Sequence, residues 1–246
     1  GLFRVLEKSA REIANIQLTG NIECVPKVAL LGEIYVRRDH FSCQNIVDRL
    51  AGKGIMVKTA PVSEWLYYCD YLQLKKLLHG PSRKNIKLRT HVALPVKRFL
   101  ERKIKSILSA TGLYEFHMID IDYLVKNVEN LISPKLTGEA ILTIAGALTE
   151  IIDEVSGVLA IGPFGCMPNR IAESIISKTM DREKINTTSN KALAKKVIEA
   201  YPSLPFLAVE SDGNVFPQVV EARLEAFCLQ VERLHNTISE LKDKVQ

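Results

Sequence analysis

Two short runs constrain this chain more than any other feature. Val28-Ala29-Leu30-Leu31 and Gly157–Ile161 carry no polar side chain, over the length of a strand rather than a helix. A strand without polar alternation is covered on both faces, which places it in the middle of a parallel sheet with helices above and below. Helical patterns follow each run. Phe41–Leu50 sets Phe41, Ile46, Val47 and Leu50 on one face and stops at Gly52 and Gly54, after which Ile55–Val57 reads as a second strand. That is a β-α-β unit, expected to be right-handed. In the second half, Asn169–Ser177 and Asn190–Glu199 read as helices, Leu204–Glu210 as a fourth strand, and Gln218–Lys244 as a long terminal helix.

Between the two halves the pattern is helical throughout. Ser63 can cap a helix running through Tyr68 to Leu78. From Val92 to Ser109, the residues Val96, Phe99, Leu100, Ile104, Ile107 and Leu108 follow the 3.6 period, with Pro95 in the first turn. Tyr123–Leu131 and Thr137–Glu150 add two more helices. The expected fold is therefore α/β: a small, mostly parallel, flavodoxin- or Rossmann-like sheet with a helical insertion and a long C-terminal helix. Its expected parts are 1–62, the insertion 63–150, and a second α/β part 151–246.

Composition narrows the function classes. At 47% hydrophobic and 25% charged, the 246 residues fit a globular protein and exclude a disordered or low-complexity chain. No apolar run approaches the roughly 20 residues that a membrane helix needs. Five scattered cysteines, an odd number with no CxxC pair, point to a reducing, cytoplasmic setting and away from a self-contained zinc site. There is no GxxxxGK, no GxGxxG after the first strand, and no nucleophile elbow, so neither a nucleotide-binding loop nor a hydrolase is indicated. The chain opens Gly-Leu-Phe on an amphipathic helix, Leu2–Leu18, which is expected of a piece of a longer protein.

In an open parallel sheet, ligands bind beyond the carboxyl ends of the strands. The residues expected there are Glu33, Tyr35, Arg37, Arg38 and Asp39 after the first strand, the Gly162–Pro168 loop after the third, and Glu210, Asp212 and Asn214 after the fourth. The loop is the sharpest signal, with two glycines and two prolines bending the chain between a buried strand and a helix. Cys166 falls at that helix N-terminus, where the dipole and free amides favour a thiolate and hence metal ligation. The other reading of the same residues is a tight turn with a small apolar filler.

Charge is uneven. Between Lys75 and Lys105 eleven Lys and Arg face the single acid Glu101, while elsewhere 22 basic residues are outnumbered by 27 acidic ones. A basic helical face suits CoA phosphates or an acidic partner, or is simply solvated; aromatics are not interleaved with the cations, which argues against nucleic acid. On the terminal helix, Val220, Leu224, Phe227, Val231, Leu234, Ile238, Leu241 and Val245 alternate by four and three, a seam for either its own sheet or a partner.

Four long motifs carry a resemblance. Gly32-Glu33-Ile34-Tyr35-Val36-Arg37, Leu136-Thr137-Gly138-Glu139-Ala140-Ile141-Leu142, Ile161-Gly162-Pro163-Phe164-Gly165-Cys166-Met167-Pro168, and Pro205–Asn214 followed by Glu221–Phe227 resemble the C-terminal region of the acyl-CoA dehydratase activase-related proteins. That group is similar to the 2-hydroxyglutaryl-CoA dehydratase subunit family. The resemblance implies an iron–sulfur protein of anaerobic metabolism, with a cluster, [4Fe-4S] in kind, that Cys166 would help to hold. It also implies partners: an actin- or Hsp70-like ATP-dependent activase, an acyl-CoA, and upstream domains or a homologous subunit that complete the ligand set. After Arg37-Arg38-Asp39 this chain departs from the family pattern with His40-Phe41-Ser42-Cys43, which makes Cys43 a second, family-atypical ligand candidate.

Overall fold

The computed structural model describes residues 1–77, 84–211 and 217–243, and the side chains of all of these except 84–88, 217 and 243. Along the chain run α1 (Leu2–Ala14), β1 (Lys27–Gly32), α2 (Ile46–Gly52), β2 (Met56–Thr59), α3 (Val62–Leu74), α4 (Lys84–Ser109) and α5 (Ile121–Lys126). They are followed by α6 (Ala140–Glu150), β3 (Gly157–Pro163), α7 (Met167–Thr187), α8 (Lys191–Ala200), β4 (Phe206–Ser211) and α9 (Pro217–Asp243). The four strands form one all-parallel sheet in the order β2-β1-β3-β4, a Rossmann-like α/β arrangement of flavodoxin type.

The apolar runs sit where their composition requires. Val28 to Leu30 and Val158 to Ile161 are 0% exposed, because β1 and β3 are the two central strands. On one face Leu30, Leu159 and Ile161 meet Ile46 and Leu50 of α2 and Leu224, Phe227 and Val231 of α9. Gly157 makes this close approach possible: a Cβ there would lie 2.5 Å from Val231. On the other face α6 and α7 cover the sheet, with Gly146 of α6 against the Leu31 side chain. The seam of α9 is thus spent on its own domain through Ile238; Val245 lies outside the described residues.

The C-terminal ends of α6 and α7 are tied by a buried cation. Lys184, 0% exposed, gives its three protons to the carbonyls of Leu148 and Thr149 and to Asp153, at 3.0, 3.0 and 2.9 Å. Thr187 and Thr188 donate to the Leu148 carbonyl and to Asp153. Burial lowers the Lys184 pKa, and Asp153 opposes that shift.

Two compact units emerge, Gly1–Cys24 with Leu66–Ile121, and Val25–Trp65 with Asp122–Gln246. The division differs from the expected 1–62, 63–150 and 151–246. Residues 122–150 belong with the sheet because α6 is buried along almost its whole length against β1 and α7. The N-terminal helix instead joins the helical unit, where α1 packs on α4 and Lys103 lies over the Phe3 ring at 4.1 Å. Within that unit several of the cations of α4 are already engaged. Lys97 pairs with Asp70, Lys105 with the buried Glu101, and Arg98 with Glu101 and the Tyr67 ring. Burial acts to raise the Glu101 pKa, but hydrogen bonds from Lys105 and Tyr67 outweigh it.

Three local expectations are corrected. The helix expected from Phe41 begins at Ile46, since Gln44 and Asn45 take positive φ (52° each), and Phe41 is 85% exposed rather than on the buried face. Helix α4 starts before Val92, so Pro95 lies in its interior and not in the first turn. Helix α7 continues to Thr187, past the expected end at Ser177.

Candidate functional site

Strand order fixes where to look. From β1 the chain moves outward to β2, then returns past β1 to β3, so the order reverses between β1 and β3. Beyond such a reversal the two following loops separate and leave a crevice at the carboxyl ends of the strands. Here the two strands approach closely at that point. Gly32 has φ +102°, and a Cβ on it would lie 2.0 Å from the Ile161 carbonyl oxygen, which instead accepts the Glu33 amide at 2.8 Å.

Residues 33–37 then fold back over β1. The Glu33 carboxylate accepts the amides of Tyr35 and Val36, and Arg37 donates to the Gly32 carbonyl at 2.6 Å. Arg37 is only 7% exposed, and its Nε has no hydrogen-bond partner. Burial lowers its pKa, countered chiefly by Glu64 and then Glu139. Glu139, directly before α6, accepts the Ile34 amide at 3.3 Å, and burial and Glu33 raise its pKa. Glu64, in the first turn of α3, is 8% exposed, and burial pushes it up to about 7 against the pull of Arg37.

The second wall is the 163–168 loop and the start of α7. Cys166 is the helix N-cap and half-buried, its amide bonded to the Pro163 carbonyl at 3.0 Å. Gly165, at φ +69°, donates its amide to Glu210, whose other carboxylate oxygen meets Arg170 at 2.5 Å. Phe164 and Met167 on either side of the loop are 71% and 68% exposed. One residue further, Pro168 reaches van der Waals distance of Gly138. Asn169 then lies against Gly162, 4% exposed, with neither amide atom hydrogen-bonded.

Of the residues expected at the rim, Glu33 and Arg37 line the crevice, Tyr35 is exposed, and Glu210 braces the Cys166 loop. Arg38 turns aside to the Ala60 carbonyl, and Asp39 accepts Ser42, whose hydrogen bonds lower its pKa. Asp212 and Asn214 lie outside the described residues. Cys43 is not at the rim: it is 3% exposed in the core under α2, its thiol near the His40 carbonyl. Sequence reasoning passed over Glu64 and Asn169, whose only signals were their places in the first turns of helices. Glu139 stood inside a quoted motif without a role.

Fold and site together define a Rossmann-like α/β domain with a polar crevice at its strand reversal and a half-exposed thiol on the neighbouring loop. Compared with protein-family models, with curated proteins and with solved structures, the chain matches none. No described helix is long and apolar enough to cross a membrane.

Proposed function

We propose that the protein is an electron-transfer component of an ATP-driven acyl-CoA dehydratase/activase system, in which Cys166 gives one thiolate to a shared iron–sulfur cluster. The reading rests on the resemblance of the four motifs and on one observation: Cys166 is half-exposed at an N-cap, on a loop held by Pro163 and Glu210. A cubane cluster is normally held by several thiolates. Among the described residues no three His, Cys, Asp or Glu side chains stand together to hold a metal, so this chain does not fit a whole cluster. The other sulfurs must come from further domains of the same protein or from a homologous subunit. When bound, the cluster would supply one-electron chemistry; the role of this chain is to hold the thiol still. An ATP-dependent activase, an acyl-CoA and a cytoplasmic setting belong to the same proposal.

Anaerobic reconstitution of the full gene product with iron and sulfide tests it. Bound iron with broad visible absorption, lost in Cys166→Ser, is the expected result. No iron in the wild type, or the same iron content in Cys166→Ser, refutes it.

The exposed Phe164 and Met167 favour a second reading, a cluster-free module that docks an activase or partner subunit through this loop. It predicts that partner binding survives Cys166→Ser and is lost in Phe164→Ser/Met167→Ser.

A further inference from the structure

Elsewhere in the sheet unit buried polar groups are satisfied, as Lys184 with its three acceptors shows. At the strand reversal they are not. Arg37 has a buried Nε–H without an acceptor, and Asn169 has a buried carbonyl and NH2 without partners. Glu64, equally buried, makes no side-chain hydrogen bond or ion pair with any described residue, although it is the carboxyl that acts most strongly on Arg37. Buried polar atoms are satisfied in the great majority of cases, so a cluster of exceptions calls for a missing partner.

Contacts link these residues into a ring. Arg37 holds the Gly32 carbonyl; Gly32 pairs with Ile161; Asn169 lies on Gly162; Pro168 touches Gly138; and Glu139 holds Ile34 and acts on Arg37. The ring stands on the face covered by α6 and α7, and the N-termini of both helices start on it.

The inventory of open groups selects the guest. Arg37 Nε and Asn169 Nδ2 need an acceptor, whereas Asn169 Oδ1 and the Glu64 carboxyl need a donor. A simple oxyanion would answer the first pair only, and it would enter beside Glu33, Glu64 and Glu139. A carboxamide edge, C=O beside N–H, answers both pairs without adding charge. We propose that the crevice between β1 and β3 binds a small neutral molecule through such an amide-type edge, its carbonyl taken by Arg37 and Asn169 and its N–H by Asn169 and Glu64. This site is independent of any cluster at Cys166. The edge occurs on free carboxamides and on nucleobases such as adenine, where Asn makes the equivalent paired contact.

Two-dimensional NMR of the full chain tests this through the Asn169 side-chain NH2 signals, identified by their absence in Asn169→Leu. Acetamide, adenine and acetate are titrated separately. Saturable movement of the NH2 pair with acetamide or adenine, and none with acetate, is the expected result; which of the two acts identifies the source of the edge. Movement with acetate alone, or with none of the three, overturns the proposal, the latter leaving water as the occupant. Asn169→Leu should weaken binding of the effective probe at least about ten-fold, as measured by calorimetry. Should that variant not fold, Asn169→Asp removes only the donor and should give the same loss. Unchanged affinity in the folded variant also overturns the proposal.

Discussion

Glu64 offers the sharpest quantitative test of the crevice. Its pKa is raised from 4.5 to about 7 by burial, so in the folded protein the carboxyl resists ionisation. For an acid shifted upward, the native state holds the proton more tightly than the unfolded chain. The stabilisation is therefore complete below pH 4.5 and is lost as pH rises through about 7. A shift from 4.5 to about 7 corresponds to about 3 kcal/mol at 1.36 kcal/mol per unit. Glu64→Gln keeps the shape and cannot ionise, so its stability relative to wild type should rise by about that amount between pH 4.5 and 8. The offset between the two proteins at any one pH is immaterial; the reasoning predicts the divergence of the two curves. Denaturant unfolding followed by the single tryptophan, Trp65, reads the sheet unit directly, because that residue belongs to it and adjoins Glu64. In thermal melts the divergence should appear as roughly 6–12 °C. Parallel stability curves for wild type and Glu64→Gln would refute the claim that this carboxyl is buried without a partner.

Gly32→Ala should destabilise the sheet unit by at least about 3 kcal/mol in the same unfolding assay, since its Cβ would meet backbone rather than a side chain that can turn away. Lys184→Met should cost about 3 kcal/mol by removing the shared donor of two carbonyls and Asp153, and Lys184→Met/Asp153→Asn should recover part of it. Under native conditions iodoacetamide should modify Cys24 and Cys166 well before Cys43 and Cys228, as read by peptide mass spectrometry; equal labelling of all four would contradict their burial.

What could be read from the sequence follows from how each signal is written. Val28–Leu31 and Gly157–Ile161 announce central strands because full burial removes every polar residue from them, and the α9 stripe is legible for the same reason. The start of α4 was hidden because Pro95 reads as a boundary, whereas a long helix tolerates it. The turn at 41–45 was hidden because Phe41, Ile46 and Leu50 mimic a helical face, and nothing local tells that Gln44 and Asn45 take positive φ. At the site, Arg37, Cys166 and Glu210 were legible since each follows a strand. Glu64, Glu139 and Asn169 come to the crevice from the first turns of three different helices, and only the packing of those helices on the sheet brings them together.

That difference bears on why the crevice exists. A core that evolves for stability alone replaces an under-satisfied buried polar group with an apolar one, since each such group costs about 1–3 kcal/mol. The chain does so along the sheet, where Ala29, Ala160 and Ala172 fill the space under α6 and α7. It also shows that it can satisfy a buried charge completely, at Lys184. Against that background, Arg37, Glu64 and Asn169 are retained at the one place where two helix N-termini and a strand reversal converge. Apolar replacements would pack there, as Gly162 already leaves room for the Asn169 side chain. The instability accepted at these three positions is best accounted for by a partner that the fold keeps ready to receive, and Asn169→Leu separates the two cases. If the orphaned amide serves a guest, the substitution stabilises the empty protein and abolishes binding together; a gain in stability with binding intact would mean that the crevice is only imperfect packing.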